Sequence, residues 1–246
     1  MNIYVTYLIQ ILLVIHVLKT GRNRYWVWIL LFLPLLGGIA YLVIELLPEF
    51  TGSITGQKAM RGARAALDPG ADLRHHAAAW QQSPNADNAR RYAGALLDAG
   101  KHAEAEQVLD GALSGFFSTE PNLMLLRARA RFENDDPRSA VKVLEELQEA
   151  NPEFRSAEGH LLYARALENA GEGVRALEEF RAVANYYPGA EARYRMALAL
   201  GKAGREKDAR TEFGQMLNDA DLAPRHFRKS QAIWLKKARA ALKELE

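Results

Sequence analysis

The chain of 246 residues contains no cysteine. That excludes disulfides, thiolate catalysis and Cys-ligated metals, and it is compatible with any compartment. A surplus of charge is also missing. After residue 50, 29 Lys and Arg stand against 28 Asp and Glu. Such a balance offers no overall basic field for nucleic acid. Catalytic signatures are absent as well: no His-Glu-x-x-His, phosphate loop or Gly-x-Ser-x-Gly elbow occurs. The six His (His16, His75, His76, His102, His160 and His226) are scattered. His75 and His76 are adjacent, so on a helix they point about 100° apart and do not readily share a metal. Acidic pairs such as Asp135-Asp136 and Glu145-Glu146 read as solvated turn or helix surface. The expectation is a chain without catalytic residues, metal ligands or cofactor.

What is present is unevenly spread. A mean hydropathy of −0.22 averages an almost wholly apolar segment, residues 1–50, with a remainder rich in Ala, Arg, Glu and Leu, as helical proteins are. Ile3 to Leu18 is apolar apart from Thr6, Gln10 and His16, and Tyr25 to Leu47 apart from Glu45. As a helix the second stretch is ~35 Å long, enough to span a ~30 Å hydrocarbon core. The first reaches ~24 Å and spans if Met1, Asn2 and Lys19 are interfacial flanks. It lacks the basic n-region and the small-residue cleavage site of a signal peptide. The expectation is therefore a transmembrane helical hairpin over 1–50, turning at Lys19–Arg24, with Tyr25, Trp26 and Trp28 at the headgroup level. Pro34 can kink the second helix, and Gly37-Gly38 allow close approach of a neighbour. Gln10 either hydrogen-bonds across the hairpin or is merely tolerated, and Glu45 reaches the interface or forms a buried ion site. Lys19, Arg22 and Arg24 at the turn are matched in number by Lys58, Arg61 and Arg64 beyond the second stretch. Charge therefore leaves the side of the repeats open in a bacterial plasma membrane, with only the proximity of the turn cations favouring the periplasm.

Three groups of residues here, His16-Val17-Leu18-Lys19, Arg24-Tyr25-Trp26-Val27-Trp28 and Leu33-Pro34-Leu35-Leu36-Gly37, followed by Ala40-Tyr41-Leu42, resemble the N-terminal membrane region of cardiolipin synthases of the phospholipase D superfamily. The resemblance implies an anchor module and no activity. That superfamily needs a His-x-Lys motif followed by Asp, and no His in this chain has Lys two positions on.

Beyond a polar linker at Thr51–Gly56 the chain becomes periodic. Helices are expected at Gln57–Leu67 and Asp72–Gln82, which together read as a degenerate capping repeat within 51–84. Ala105, Ala140, Ala176 and Ala209 then recur 35, 36 and 33 residues apart. That beat marks helix-turn-helix repeats that bury their apolar faces only by stacking. Four repeats fill 85–222. The first carries Tyr92, Ala93, Leu96, Gly100, Ala105 and Leu109, at helical spacing within each helix. The third carries Tyr163, Ala164, Leu167, Gly171, Ala176, Phe180 and Pro188, and the fourth Met196, Ala197, Gly204, Ala209 and Phe213. These resemble tetratricopeptide repeats. The second repeat departs from the family pattern at Arg127, Arg131 and Asp135, where Tyr or Leu and Gly are usual. Residues 223–246 are expected to form one helix, either capping the stack or resting its basic face on anionic lipid.

The fold class expected is thus all-α: a membrane hairpin, a solenoid and a C-terminal helix. In the repeat family, ligands contact the first helix of each pair, which transfers to Arg90, Leu125, Arg129, Leu161, Arg165 and Tyr194. Arg129 and Arg165 occupy equivalent places, so they either form a basic strip for an acidic peptide or pair with nearby Glu. The function expected is a membrane-anchored scaffold that binds a protein or peptide in its groove. The alternative is a non-catalytic accessory to lipid or envelope biosynthesis that acts through the anchor.

Overall fold

The computed structural model describes residues 3–21, 23–53, 57, 68 and 70–245, all helix, turn or connection with no strand among them. They form two compact units, Met1–Asp72 and Leu73–Glu246. The helix expected at Gln57–Leu67 lies outside the described residues, apart from Gln57.

The first unit begins with α1 (Ile3–Thr20). The expected second span is not one helix. It runs as α2 (Tyr25–Phe32), α3 (Pro34–Tyr41), a π-helical turn (Leu42–Leu46) and α4 (Leu47–Gly52). Among the described residues no helix is long and apolar enough to cross a membrane. The expected transmembrane hairpin is corrected on this point, and the charge rule for sidedness loses the span it acts on. The reason lies at Pro34, which has no N–H to give to the carbonyl of Leu30, four residues earlier. Leu33 takes φ −126, ψ 70 there, outside the helical region. At the same bend Gly37 is required: a Cβ on it would lie 2.6 Å from the Ile29 carbonyl oxygen.

The orphaned Leu30 carbonyl is answered from α1, by the side-chain amide of Gln10. Further polar contacts also lie between the helices. His16 Nδ1 meets the Tyr41 hydroxyl at 3.0 Å, and Trp26 Nε1 donates to Glu45 at 2.9 Å. Val17, Leu30 and Tyr41 complete a small core. The outer surface is the reverse. Of the 23 exposed large apolar side chains among the described residues, 19 lie between Tyr7 and Leu47, Leu8, Leu18, Phe32 and Leu36 among them.

The second unit begins within α5 (Ala71–Gln82), whose Leu73 and Trp80 pack against the core of the first repeats. Four antiparallel pairs follow: α6 (Ala86–Asp98) with α7 (His102–Ala112), α8 (Pro121–Glu133) with α9 (Pro137–Ala150), α10 (Ala157–Asn169) with α11 (Gly173–Ala184), and α12 (Glu191–Lys202) with α13 (Glu206–Leu222). Caps start several of them. Asn85, Glu120, Asp136 and Ser156 accept from the backbone N–H of Asn88, Leu123, Ser139 and Gly159.

Each first helix ends in the same way. The residue after the cap takes positive φ at Gly100 (72°), Gly171 (88°) and Gly204 (76°). Asp135 takes the glycine place in the second repeat, at φ 60°. The next N–H then reaches back five residues: Lys101 to Leu96, Asp136 to Arg131, Glu172 to Leu167, and Arg205 to Leu200, all at 2.8–2.9 Å. This is the Schellman closure, in which a left-handed residue lets the last carbonyls be satisfied as the chain turns back. Both helices of each pair bury an alanine to 1% exposure or less: Ala93 and Ala105, Ala128 and Ala140, Ala164 and Ala176, Ala197 and Ala209. Phe180 and Phe213 are buried in the core shared by the later repeats.

The expected single C-terminal helix is two: α14 (Arg225–Ser230) and α15 (Ala232–Glu244). Gln231 interrupts them, and its side-chain oxygen accepts the Ala190 N–H at 2.9 Å. Leu235 and Ala238 bury α15 against the last pair.

Two glycines separate backbone strain from packing. Gly171→Ala forces a Cβ into the left-handed region with no atom near it, and should cost about 1 kcal/mol. Gly214→Ala, inside α13 with equally open space, should instead stabilise by about 0.5–1 kcal/mol. Urea denaturation midpoints check both, and equal signs would contradict the assigned geometry.

Candidate functional site

The residues singled out for ligand contact lie on the first helices, α6, α8, α10 and α12. Their surroundings differ widely. Arg90 is exposed and bonded to Asp87 at 2.7 Å, which holds that carboxyl below its usual value. Leu125 is half-buried and closes on Gly159, where a Cβ would lie 3.2 Å from its Cδ1. Leu161 is in the core at 2% exposure. Tyr194 is wedged between the rings of Phe213 and Trp234, 5.8 and 5.5 Å away, and burial raises its pKa.

Arg129 and Arg165 are brought onto one face, together with carboxylates that join them. Arg129 Nε lies 2.8 Å from Glu133, and its Nη2 is 3.7 Å from Asp98 on α6. Arg165 rests 4.9 Å over the Phe132 ring of α8, with its Nε 3.8 Å from Glu191 on α12. Burial, then Arg195, draws its pKa down, yet a guanidinium remains charged. Glu191 also holds Arg195 at 2.7 Å, and Arg195 and Lys202 both reach back to Glu168 on α10, at 3.7 and 2.5 Å. Four carboxylates, Asp98, Glu133, Glu168 and Glu191, therefore interleave with four cations from helix to helix. The face is a mixed ladder that ties successive repeats together, rather than a strip of one sign.

The partners of that ladder were readable in part. Arg129 with Glu133 and Glu191 with Arg195 are i,i+4 pairs, which share one side of a helix. The links between repeats, Asp98 to Arg129 and Glu168 to Lys202, depend on stacking. The unusual Arg127 and Arg131 of the second repeat point into the helix pairs. Arg127 contacts Glu146 at 3.2 Å and Asp110 at 3.6 Å, while Arg131 contacts Glu106 at 2.9 Å. Charged bridges thus fill places that apolar residues take in the usual pattern.

A cleft that motif reading did not isolate lies between the second and third repeats. It encloses about 770 Å³ and is lined by Leu144, Leu147, Phe154, Tyr163, His160 and Tyr186, among others. His160 Nε2 contacts Glu179 at 2.6 Å, and its Nδ1 contacts the Tyr186 hydroxyl. Both ring nitrogens thus have partners within the fold. Beside it, Arg175 Nη2 bonds Glu145 at 2.6 Å, and the Tyr163 hydroxyl donates to Glu145 at 3.1 Å. Arg175 draws the Glu145 carboxyl below its usual value, and burial pushes the Tyr163 phenol up to about 12. No group of His, Asp and Glu suited to a metal occurs among the described residues.

Residues 131–201 match the tetratricopeptide repeat family. The chain is similar in structure to MamA, at 19% identity over 69% of this chain and 95% of that one, with a TM-score of 0.55. It is likewise similar to a thermophilic TPR protein of Thermus thermophilus, at 16% identity over 70% and 89%, with a TM-score of 0.54. No curated protein matches the chain. At such identities the structural likeness establishes the fold, a solenoid of tetratricopeptide type. The region that carries the cardiolipin synthase resemblance lies outside the family match.

The ladder predicts a stability role for its half-buried cation. Arg165→Ala should lower unfolding free energy by about 1–2 kcal/mol through lost ring and carboxylate contacts. Arg90→Ala, an exposed pair, should change it by no more than about 0.5 kcal/mol. Guanidinium unfolding distinguishes them, and equal losses would remove the ladder's assigned role. The Glu145–Arg175–Tyr163 group sets two pH limits. Glu145 has its folded pKa lowered from 4.5, so its contribution is present above that value and fades as pH falls through the lower folded value. Tyr163 has its pKa raised from 10.0, so its contribution is present below 10.0 and is lost as pH climbs towards about 12. Melting temperature against pH should show both flanks, with the alkaline one reduced in Tyr163→Phe.

Proposed function

We propose that this tetratricopeptide-type solenoid is a protein-binding scaffold without catalysis of its own, held at a membrane by its N-terminal unit. The observation that carries the membrane part is the inverted layout of that unit, with Gln10, His16 and Glu45 bonded within and apolar side chains outside. Water favours the opposite distribution, whereas hydrocarbon favours this one, because a polar group there has no solvent to bond. Since no described helix is long and apolar enough to cross, the unit is read as embedded in lipid rather than as a pair of spans.

The scaffold part is supported by the fold. Repeats of this architecture present an extended curved surface suited to a protein or peptide. The face bearing Arg90, Arg129, Arg165 and Tyr194 is the proposed contact. Its interleaved charges favour a partner that carries both signs, since a purely acidic peptide would have to displace Asp98, Glu133 and Glu191.

Flotation of the purified full chain with neutral phosphatidylcholine vesicles tests the membrane reading. The protein should rise with the lipid at any salt concentration. Recovery as a monodisperse aqueous species without detergent would sink that reading. For the scaffold, a photo-crosslinking residue at Arg90 should give one specific adduct in membranes of the native cell. An equivalent residue at the outward-facing Glu178 should give none. Identical patterns at both sites would remove the proposed contact face.

A further inference from the structure

Cations of the second unit differ in how far they are paired. Those of the inner face are matched to carboxylates, as described. Those at its C-terminal end are not. From Arg225 to Glu246 the sequence holds seven Lys and Arg against two Glu, although the whole chain carries only +2.

Their placement follows from how α15 packs. Leu235 and Ala238 face the last repeat, with Trp234 beside Tyr194 and 5.5 Å from the Arg195 guanidinium. At about 100° per residue, Lys236, Arg239 and Lys243 fall within roughly 60° of one another, turned away from Trp234 and Ala238, and all three are exposed. Ile233 lies among them at 60% exposure, and Leu222, just before α14, is 89% exposed. Arg225 and Lys229 extend the basic surface onto α14. None of these five cations has a carboxylate within ion-pair distance among the described residues. The other two are occupied differently: Arg228 donates to the Asp221 carbonyl, and Lys237 lies 4.6 Å over the Trp234 ring.

We infer that the exposed face of α15, continued by α14, docks on an anionic lipid surface. Cations on one side of a helix, with an apolar side chain among them, match phosphate headgroups and the acyl boundary beneath them. The other side of α15 is already used in packing, so the helix adheres as an ordered part of the solenoid. The choice of a bilayer over an acidic protein rests on the membrane reading of the N-terminal unit.

Vesicle flotation with the full chain separates the two contacts. Adding phosphatidylglycerol to phosphatidylcholine vesicles should raise the partition coefficient about tenfold or more, and high salt should abolish that gain. The triple variant Lys236→Glu, Arg239→Glu, Lys243→Glu should keep its binding to neutral vesicles and lose the gain. Its helical circular dichroism should be unchanged, since all three side chains are exposed. Salt response of the wild-type chain tests the same point without any substitution. A wild-type chain indifferent to phosphatidylglycerol, or a triple variant that keeps the gain, overturns the inference. Retention on immobilised poly-glutamate without any lipid gain assigns the face to an acidic protein and likewise overturns it. Failure on neutral vesicles, with the anionic gain intact, sinks the N-terminal reading and upholds this one.

Discussion

The solenoid depends on how close two helices can come. In each of the four pairs both helices carry a buried alanine, as Ala164 and Ala176 do in the third. A methyl group sets a short separation there, and a larger side chain would open the pair or force neighbours off their rotamers. The Schellman turn at the end of each first helix fixes where the second begins. Spacing and turn together place first helices side by side, within reach of one another's long side chains. The Arg–Glu ladder is therefore a consequence of helix spacing, and it adds links between repeats that hydrophobic contact alone would leave free to slide.

Much of this was legible as sequence, for a physical reason: the contacts that define a repeat are short in chain separation. The alanine beat, the glycine stops and the apolar periodicity all record local geometry. The glycine place taken by Asp135 could be anticipated as well, because Asp and Asn tolerate left-handed backbone better than most residues do. Arg127 and Arg131 looked like faults in the pattern only because Glu106, Asp110 and Glu146 lie on other helices.

The readings that needed correction fail where distant residues intervene. The C-terminal helix breaks at Gln231 in company with the Ala190 N–H, 41 residues earlier. The second apolar stretch contained a proline, so a bend was visible, yet its extent depended on how α2 and α3 sit against α1. The contact residues illustrate the same limit. Their helix and face followed from repeat geometry, but whether an arginine is available or already bonded depends on neighbours in other repeats. The His160 cleft draws on a loop, three helices and Tyr186 beyond them, so no spacing rule collects it.

Gln10 gives the first unit a property that neither of its helices has alone. Its amide stands in for the N–H that Pro34 lacks, so the backbone of one segment is completed by the side chain of another. Formation of the bent helix and closure of the hairpin thereby become a single cooperative event. Parting the two helices would uncover a carbonyl that nothing on its own segment answers.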